Sequence, residues 1–147
     1  MAATFMLVTE CPTDAATIFD LSLDIDAHVD SMSQSRERAI AGVMSGRIGI
    51  GQTVTWRARH FGIWFTMTSK ISTLDRPRRF IDEQVNGPFK TFAHEHAFED
   101  ASGGYRMIDT LTVASPIFGA LAERLVLVPY LRRLIQKRSA ALIRNVG

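Results

Sequence analysis

Cysteine is all but missing from this 147-residue chain: Cys11 stands alone. No internal disulfide can form, and nothing calls for an oxidising compartment. One thiol and four histidines also exclude a thiolate zinc cluster. No stretch approaches the roughly 20 apolar residues of a bilayer-spanning helix. Even the apolar piece Ala120–Tyr130 carries Glu123, Arg124 and Pro129. Met1 to Val8 lacks a basic region leading into a long apolar run, so no signal peptide is expected and the default location is cytoplasmic. Internal repeats, charge blocks and Ser/Gly linkers are missing too, which points to a single domain over 1–147.

What is present suits a folded globule. Hydrophobic residues make up 46% and charged ones 22%, a balance that excludes disorder and low complexity. A chain of this size buries roughly 70% of its unfolded surface, so it needs no staples. The net charge of +2 is unevenly spread. Residues 1–35 hold six acids and no Lys or Arg, whereas 117–147 hold six bases against Glu123. A basic face on a C-terminal helix is a candidate surface for a partner. Without interleaved aromatics it does not read as a nucleic-acid groove.

The chain divides at short turns: Gly46–Gly51, Asp75–Arg79, Asn86-Gly87-Pro88 and Asp100–Gly104. Thr4–Glu10 reads as a first strand. Thr13 looks like an N-cap with Asp14 in the first turn of a short helix, and a second short helix covers Asp24–Met32. From Arg38 to Val113 the apolar residues recur with period two, as in Val54, Trp56, Ala58, His60, or Phe92, His94, His96, Phe98, or Met107, Asp109, Leu111, Val113. That alternation predicts antiparallel strands with one face covered. Ser115-Pro116 leads into a predicted short helix, Ile117–Leu127. A longer one follows with Pro129 in its first turn, where proline is tolerated. On it Leu131, Leu134, Ile135 and Leu142 share a stripe opposite Arg133, Lys137 and Arg144. The order describes an α+β fold: a curved antiparallel sheet of about six to seven strands around a long C-terminal helix, with two short helices after the first strand. A space between sheet and helix is a natural ligand site.

Several strings strengthen this reading: Asp26-Ala27-His28-Val29-Asp30-Ser31-Met32, Glu37-Arg38-Ala39, Trp56-Arg57-Ala58-Arg59-His60-Phe61-Gly62, Asp75-Arg76-Pro77, and the run from Gly87 to Phe98. With Gly103-Gly104, Met107 and Asp109, they resemble a bacterial ligand-binding branch of the START/Bet v 1-like helix-grip superfamily, the SRPBCC or polyketide cyclase/dehydrase-like proteins. The resemblance spans essentially the whole chain. It implies the helix-grip fold and a cavity for lipids, quinones, hormones or polyketides, but brings no catalytic set across position by position. Tyr105 departs from the threonine expected after the glycine pair.

Individual residues then ask for roles. His94 and His96 are two apart on one strand and share a face, a geometry that can supply two metal ligands. A third would come from His60, His28, Asp109 or Glu83, none fixed by spacing. The favoured reading has no metal, with both imidazoles as polar groups in an apolar wall. Asp109 interrupts an apolar face and must be paired, hydrogen-bonded or protonated. A hairpin with residues 91–98 would bring it to a histidine, and a His–Asp pair serves either structure or general acid–base catalysis. Arg138 sits inside the helix stripe, where its guanidinium should meet a carboxylate: Asp109, or one on a ligand. Trp56, His60, Phe65, Met67, Phe92 and Leu134 complete the candidate ligand wall. His28 and Ser31 are candidates for its entrance. Gly46, Gly49 and Gly51 read as a hairpin turn rather than a phosphate loop, and Cys11 carries no sign of activation.

The leading expectation is therefore binding of a small apolar or aromatic molecule, met by His94, His96, Asp109 or Arg138, with no cofactor and no nucleic acid. The alternatives are a cyclase, aromatase or dehydratase whose catalytic candidates are His94, His96 and Asp109, and a partner-binding protein acting through the basic C-terminal helix. Homodimerisation stays open.

Overall fold

The computed structural model describes residues 2–101, 104–114 and 123–146. Strand β1 (Ala3–Cys11) leads into helices α1 (Ala15–Ser22) and α2 (Ile25–Ser31) and a 3-10 turn at Ser33–Ser35. Six strands follow: β2 (Arg38–Gly42), β3 (Thr53–His60), β4 (Ile63–Asp75), β5 (Arg79–Asn86), β6 (Thr91–Ala101) and β7 (Gly104–Ala114). After a π-helical turn at Glu123–Leu127 the chain ends in the long helix α3 (Val128–Val146). The predicted helix over Ile117–Leu127 lies mostly outside the described residues.

All seven strands join one antiparallel sheet in the order β1-β7-β6-β5-β4-β3-β2. The chain starts and finishes the sheet side by side, with Phe5 opposite Leu111. Register shifts between Ala39 and Ala41, and again along β4 at Thr68/Ser69 and Ile71/Thr73, break the even pairing. Such bulges bend and twist a strand, which curls this sheet toward the helix it carries. The segment between β2 and β3 is a longer loop than the expected hairpin turn. It folds back on α2, where the Ile25 N–H donates to the Gly46 carbonyl at 2.8 Å.

Helix α1 begins one residue later than expected. Asp14, not Thr13, is the N-cap: its carboxylate accepts the Thr17 N–H at 2.8 Å and the Thr17 hydroxyl at 2.9 Å. Asp24 caps α2 in the same way through the Ala27 N–H. Both satisfy an otherwise orphaned donor at a helix start. Pro129 falls in the first turn of α3, as read, and Leu131, Leu134, Ile135 and Leu142 are buried while Arg133, Lys137 and Arg144 are exposed.

Two apolar clusters hold the layers together. Ile18 and Phe19 of α1 pack with Phe80, Phe98, Met107 and Leu142. Phe5, Leu7, Leu111 and Val113 pack with Leu127, Leu131 and Ile135. Each such side chain contributes about 1.5–3 kcal/mol when fully buried. Members of both clusters, among them Trp56, Ile71, Leu131 and Ile135, also face a space left open in the middle between sheet and α3.

Candidate functional site

A cavity of about 660 Å³ occupies that middle, walled by the inner faces of β3, β4, β5 and β6, by α2 and by α3. Trp56, His60, Phe65 and Met67 line it from the β3–β4 hairpin. Phe92, His94 and His96 line it from β6, and Leu134 and Arg138 from α3. Asp109 does not. It is fully buried on β7, behind the wall, and so corrects the expectation that it meets a ligand. The reason is coverage: His94 and Arg138 lie between Asp109 and the open space and take its oxygens for themselves.

Strand register builds the polar corner. Asp109 is paired with His96 across β6 and β7, and Asp82 with His94 across β5 and β6. The side chains cross over that grid. His94 Nε2 donates to Asp109 Oδ1 at 2.8 Å, and His96 Nε2 donates to Asp82 Oδ2 at 2.7 Å. An ionised carboxylate accepts only, so each Nε2 carries the proton. Arg138 donates to Asp109 Oδ1 at 2.5 Å, and Ser139 Oγ reaches Oδ2 at 3.4 Å. The rings of Phe80, His96 and His94 stack in sequence, with centroids 4.1 and 3.7 Å apart. His96 Nδ1 and Arg138 Nε are buried without a hydrogen-bond partner.

Electrostatics separates the members. Burial drives the His96 imidazole down to about 4, aided by His94 and opposed by Asp82. Burial alone would raise both carboxylates. The His96 hydrogen bond and the attraction of the neighbouring imidazoles together outweigh it at Asp82, and the Arg138 guanidinium with His94 and His96 together outweighs it at Asp109, so both are held below the ordinary carboxylate range. The corner thus carries two carboxylates, one guanidinium and a neutral His96 at neutral pH.

Two further polar pairs stand elsewhere on the wall. His28 Nε2 lies 2.6 Å from Glu37 Oε1, its ring 4.4 Å from Trp56. Ser31, expected beside it at the entrance, is buried and donates to the carbonyl of His28. His60 Nδ1 lies 2.6 Å from the Tyr130 hydroxyl, and burial lowers its pKa. At the tip of the same hairpin Phe61 takes a left-handed backbone (φ 54°) in front of Gly62 (φ 75°). That conformation costs a bulky residue about 1–2 kcal/mol. The Phe61 ring, 61% exposed, is held 4.4 Å from the Tyr130 ring at the cavity rim.

Asp82, Glu37 and Tyr130 escaped the sequence reading. Asp82 had a signal: it follows the apolar Phe80 by two, so it shares Phe80's face. Glu83, named instead as a metal-ligand candidate, points to the other side of the sheet and accepts from Ser72. A shift of one residue along a strand exchanges the two faces. Asp82, His94 and His96 bring one donor atom each within 4.8 Å of one another, so the third member of any metal set would be Asp82. Cys11 is buried, and burial raises its pKa, which leaves it a poor nucleophile.

No protein-family model and no curated protein matches the sequence. Solved structures match its fold. The Zhui aromatase/cyclase from Streptomyces sp. R1128 superposes with a TM-score of 0.77 at 14% identity, over 99% of this chain and 93% of that one. The major latex-like protein 151 of Panax ginseng gives 0.70 at 12% identity, over 98% and 97%. TTHA0849 from Thermus thermophilus gives 0.71 at 19% identity, over 97% and 92%. The chain has the helix-grip fold of Bet v 1-like and aromatase/cyclase proteins, as its sequence motifs imply.

Proposed function

We propose that this helix-grip domain binds a small apolar or aromatic molecule in the cavity between its sheet and α3. The observation that carries the reading is the cavity itself. Close-packed interiors hold few voids larger than a water molecule, yet about 660 Å³ lies open here behind aromatic and aliphatic walls. Such a volume with a few convergent polar groups suits a drug-sized ligand. Titration with N-phenyl-1-naphthylamine, a neutral dye that brightens in apolar surroundings, tests it. Saturable one-to-one binding is expected. Ala58→Trp, which fills the wall at a buried position, should weaken it about tenfold or more. A wild-type protein that never saturates would refute the reading.

A second reading, proton transfer of the cyclase, aromatase or dehydratase kind, draws support from one feature. Asp82 holds the His96 imidazole by a hydrogen bond on the cavity wall, which is how a carboxylate orients a general acid or base. The catalytic pair would then be Asp82–His96 rather than a pair containing Asp109. Exchange of the α-protons of 2-acetylnaphthalene in D2O, followed by NMR, separates the two readings. Acceleration lost in His96→Gln favours catalysis, and no acceleration leaves binding alone.

A further inference from the structure

The protein is basic as a whole, with a net charge of +2 and a pI near 9.0, but the cavity is not. Among the described residues its lining holds three carboxylates, Asp24, Glu37 and Asp82, against one guanidinium, Arg138. That guanidinium is already committed. Arg138 and Asp109 are both buried, and Arg138 bonds to Asp109 behind the wall, so its charge is cancelled before it reaches the open space. Asp24 caps α2 through the Ala27 N–H, and Glu37 lies against His28. Asp82 is different. Its side chain keeps 22% of its surface open, and among the described residues its one side-chain partner is the His96 imidazole, with no Lys or Arg within ion-pair distance.

An ionised carboxylate facing an apolar cavity with no guanidinium or ammonium beside it is poorly solvated, and it gains most from an incoming cation. The surroundings fit that occupant. His94 and His96 each bring a ring nitrogen within 4.8 Å of the Asp82 carboxylate, so the corner is polar beyond the charge itself. The rest of the wall mixes aliphatic with aromatic side chains, and the ring faces among them, Trp56, Phe65, Phe80 and Phe92, attract a cationic head. A ligand carboxylate or phenolate would instead meet Asp82 with like charge and compete with Asp109 for the charge of Arg138.

Building on the cavity reading above, we infer that the ligand is a hydrophobic amine. Its protonated nitrogen sits at the corner formed by Asp82, His94 and His96, and its aromatic or alkyl body lies along Trp56 and Phe65. This stands against the alternative, left open in the sequence, of a ligand carboxylate at Arg138. It also assigns Asp82, absent from the sequence reading, as the residue that selects ligand charge.

Three probes of one shape test the inference: 2-naphthylmethylamine, 2-naphthalenemethanol and 2-naphthoate, titrated calorimetrically into the intact protein at neutral pH with EDTA present. The amine should bind about tenfold tighter than the alcohol, and the alcohol tighter than the acid, because only the ammonium brings a countercharge to the Asp82 carboxylate and the acid brings a like charge. Asp82→Asn should bring amine and alcohol within about twofold of each other, with the circular dichroism spectrum of the variant reporting that the fold is intact. Equal binding of amine and alcohol, tighter binding of the acid, or an amine preference that survives Asp82→Asn overturns the inference and leaves the cavity reading standing. Failure of all three probes overturns both. Zinc(II) is titrated in a parallel EDTA-free arm. Stoichiometric uptake that is lost in Asp82→Asn and that blocks the amine would make the corner a metal centre and overturn the amine assignment.

Discussion

Arg138 carries a charge into the apolar stripe of α3, and the molecule resolves that conflict with one contact. The guanidinium meets Asp109 where both side chains are buried. Breaking a buried pair from one side leaves the other charge uncompensated, which costs about 3–5 kcal/mol. Arg138→Met should therefore lower unfolding stability by about that amount in urea, whereas the double variant Arg138→Met/Asp109→Leu should recover most of it. A single variant within about 1 kcal/mol of wild type would show that the pair is not structural. Both residues were legible in the sequence because each interrupts an apolar series. Asp82 was not: it lies in a strand whose neighbours are mostly polar on both faces, so only Phe80 marked which way it points.

At the scale of elements, helix ends and strand faces follow short-range rules, and most were readable. The error at α1 is instructive. Thr13 and Asp14 are both good caps, but the first helical turn closes on Asp14, whose two carboxylate oxygens take both the N–H and the hydroxyl of Thr17. Asp14→Ala should lower the melting temperature, and Thr13→Ala should leave it unchanged, by thermal circular dichroism. The reverse order would place the cap where the sequence suggested. The β3–β4 hairpin shows the opposite case. No turn is read there in the sequence, yet the two-residue loop between paired His60 and Ile63 imposes a left-handed backbone on both Phe61 and Gly62. What only the tertiary structure supplies is the neighbour of the Phe61 side chain, the Tyr130 ring, which arrives from α3.

For the whole molecule, acidity is the informative variable. Above about pH 6.5 His96 is neutral in both folded and unfolded chains and contributes nothing. Between that value and about 4 the unfolded chain takes up a proton that the buried ring refuses, so stability falls. His60, also lowered by burial, has the same sign. Asp82 and Asp109 have depressed values, so their contribution is complete above the ordinary carboxylate range and is lost as the pH drops through their folded values. The groups facing His96 are Phe80, Asp82, His94, Asp109 and Arg138, and none but the two carboxylates opposes its discharge. The melting temperature should fall from pH 6.5 to 4, and His96→Gln should flatten that slope. A slope unchanged by the substitution would locate the loss elsewhere.

Sequence periodicity alone determined the element order, the antiparallel sheet, the buried stripe of α3 and the inward placement of His94, His96 and Arg138. These follow from side-chain spacing along one element, which the chain carries locally. Only the tertiary structure decided which inward groups meet. Asp82, His96, His94, Asp109 and Arg138 come from four elements spread over 57 residues, and strand register and the seat of α3 make them neighbours. The cavity, and the negative charge left facing it, belong to that same level, because enclosed space and uncancelled charge are properties of an assembled set of walls.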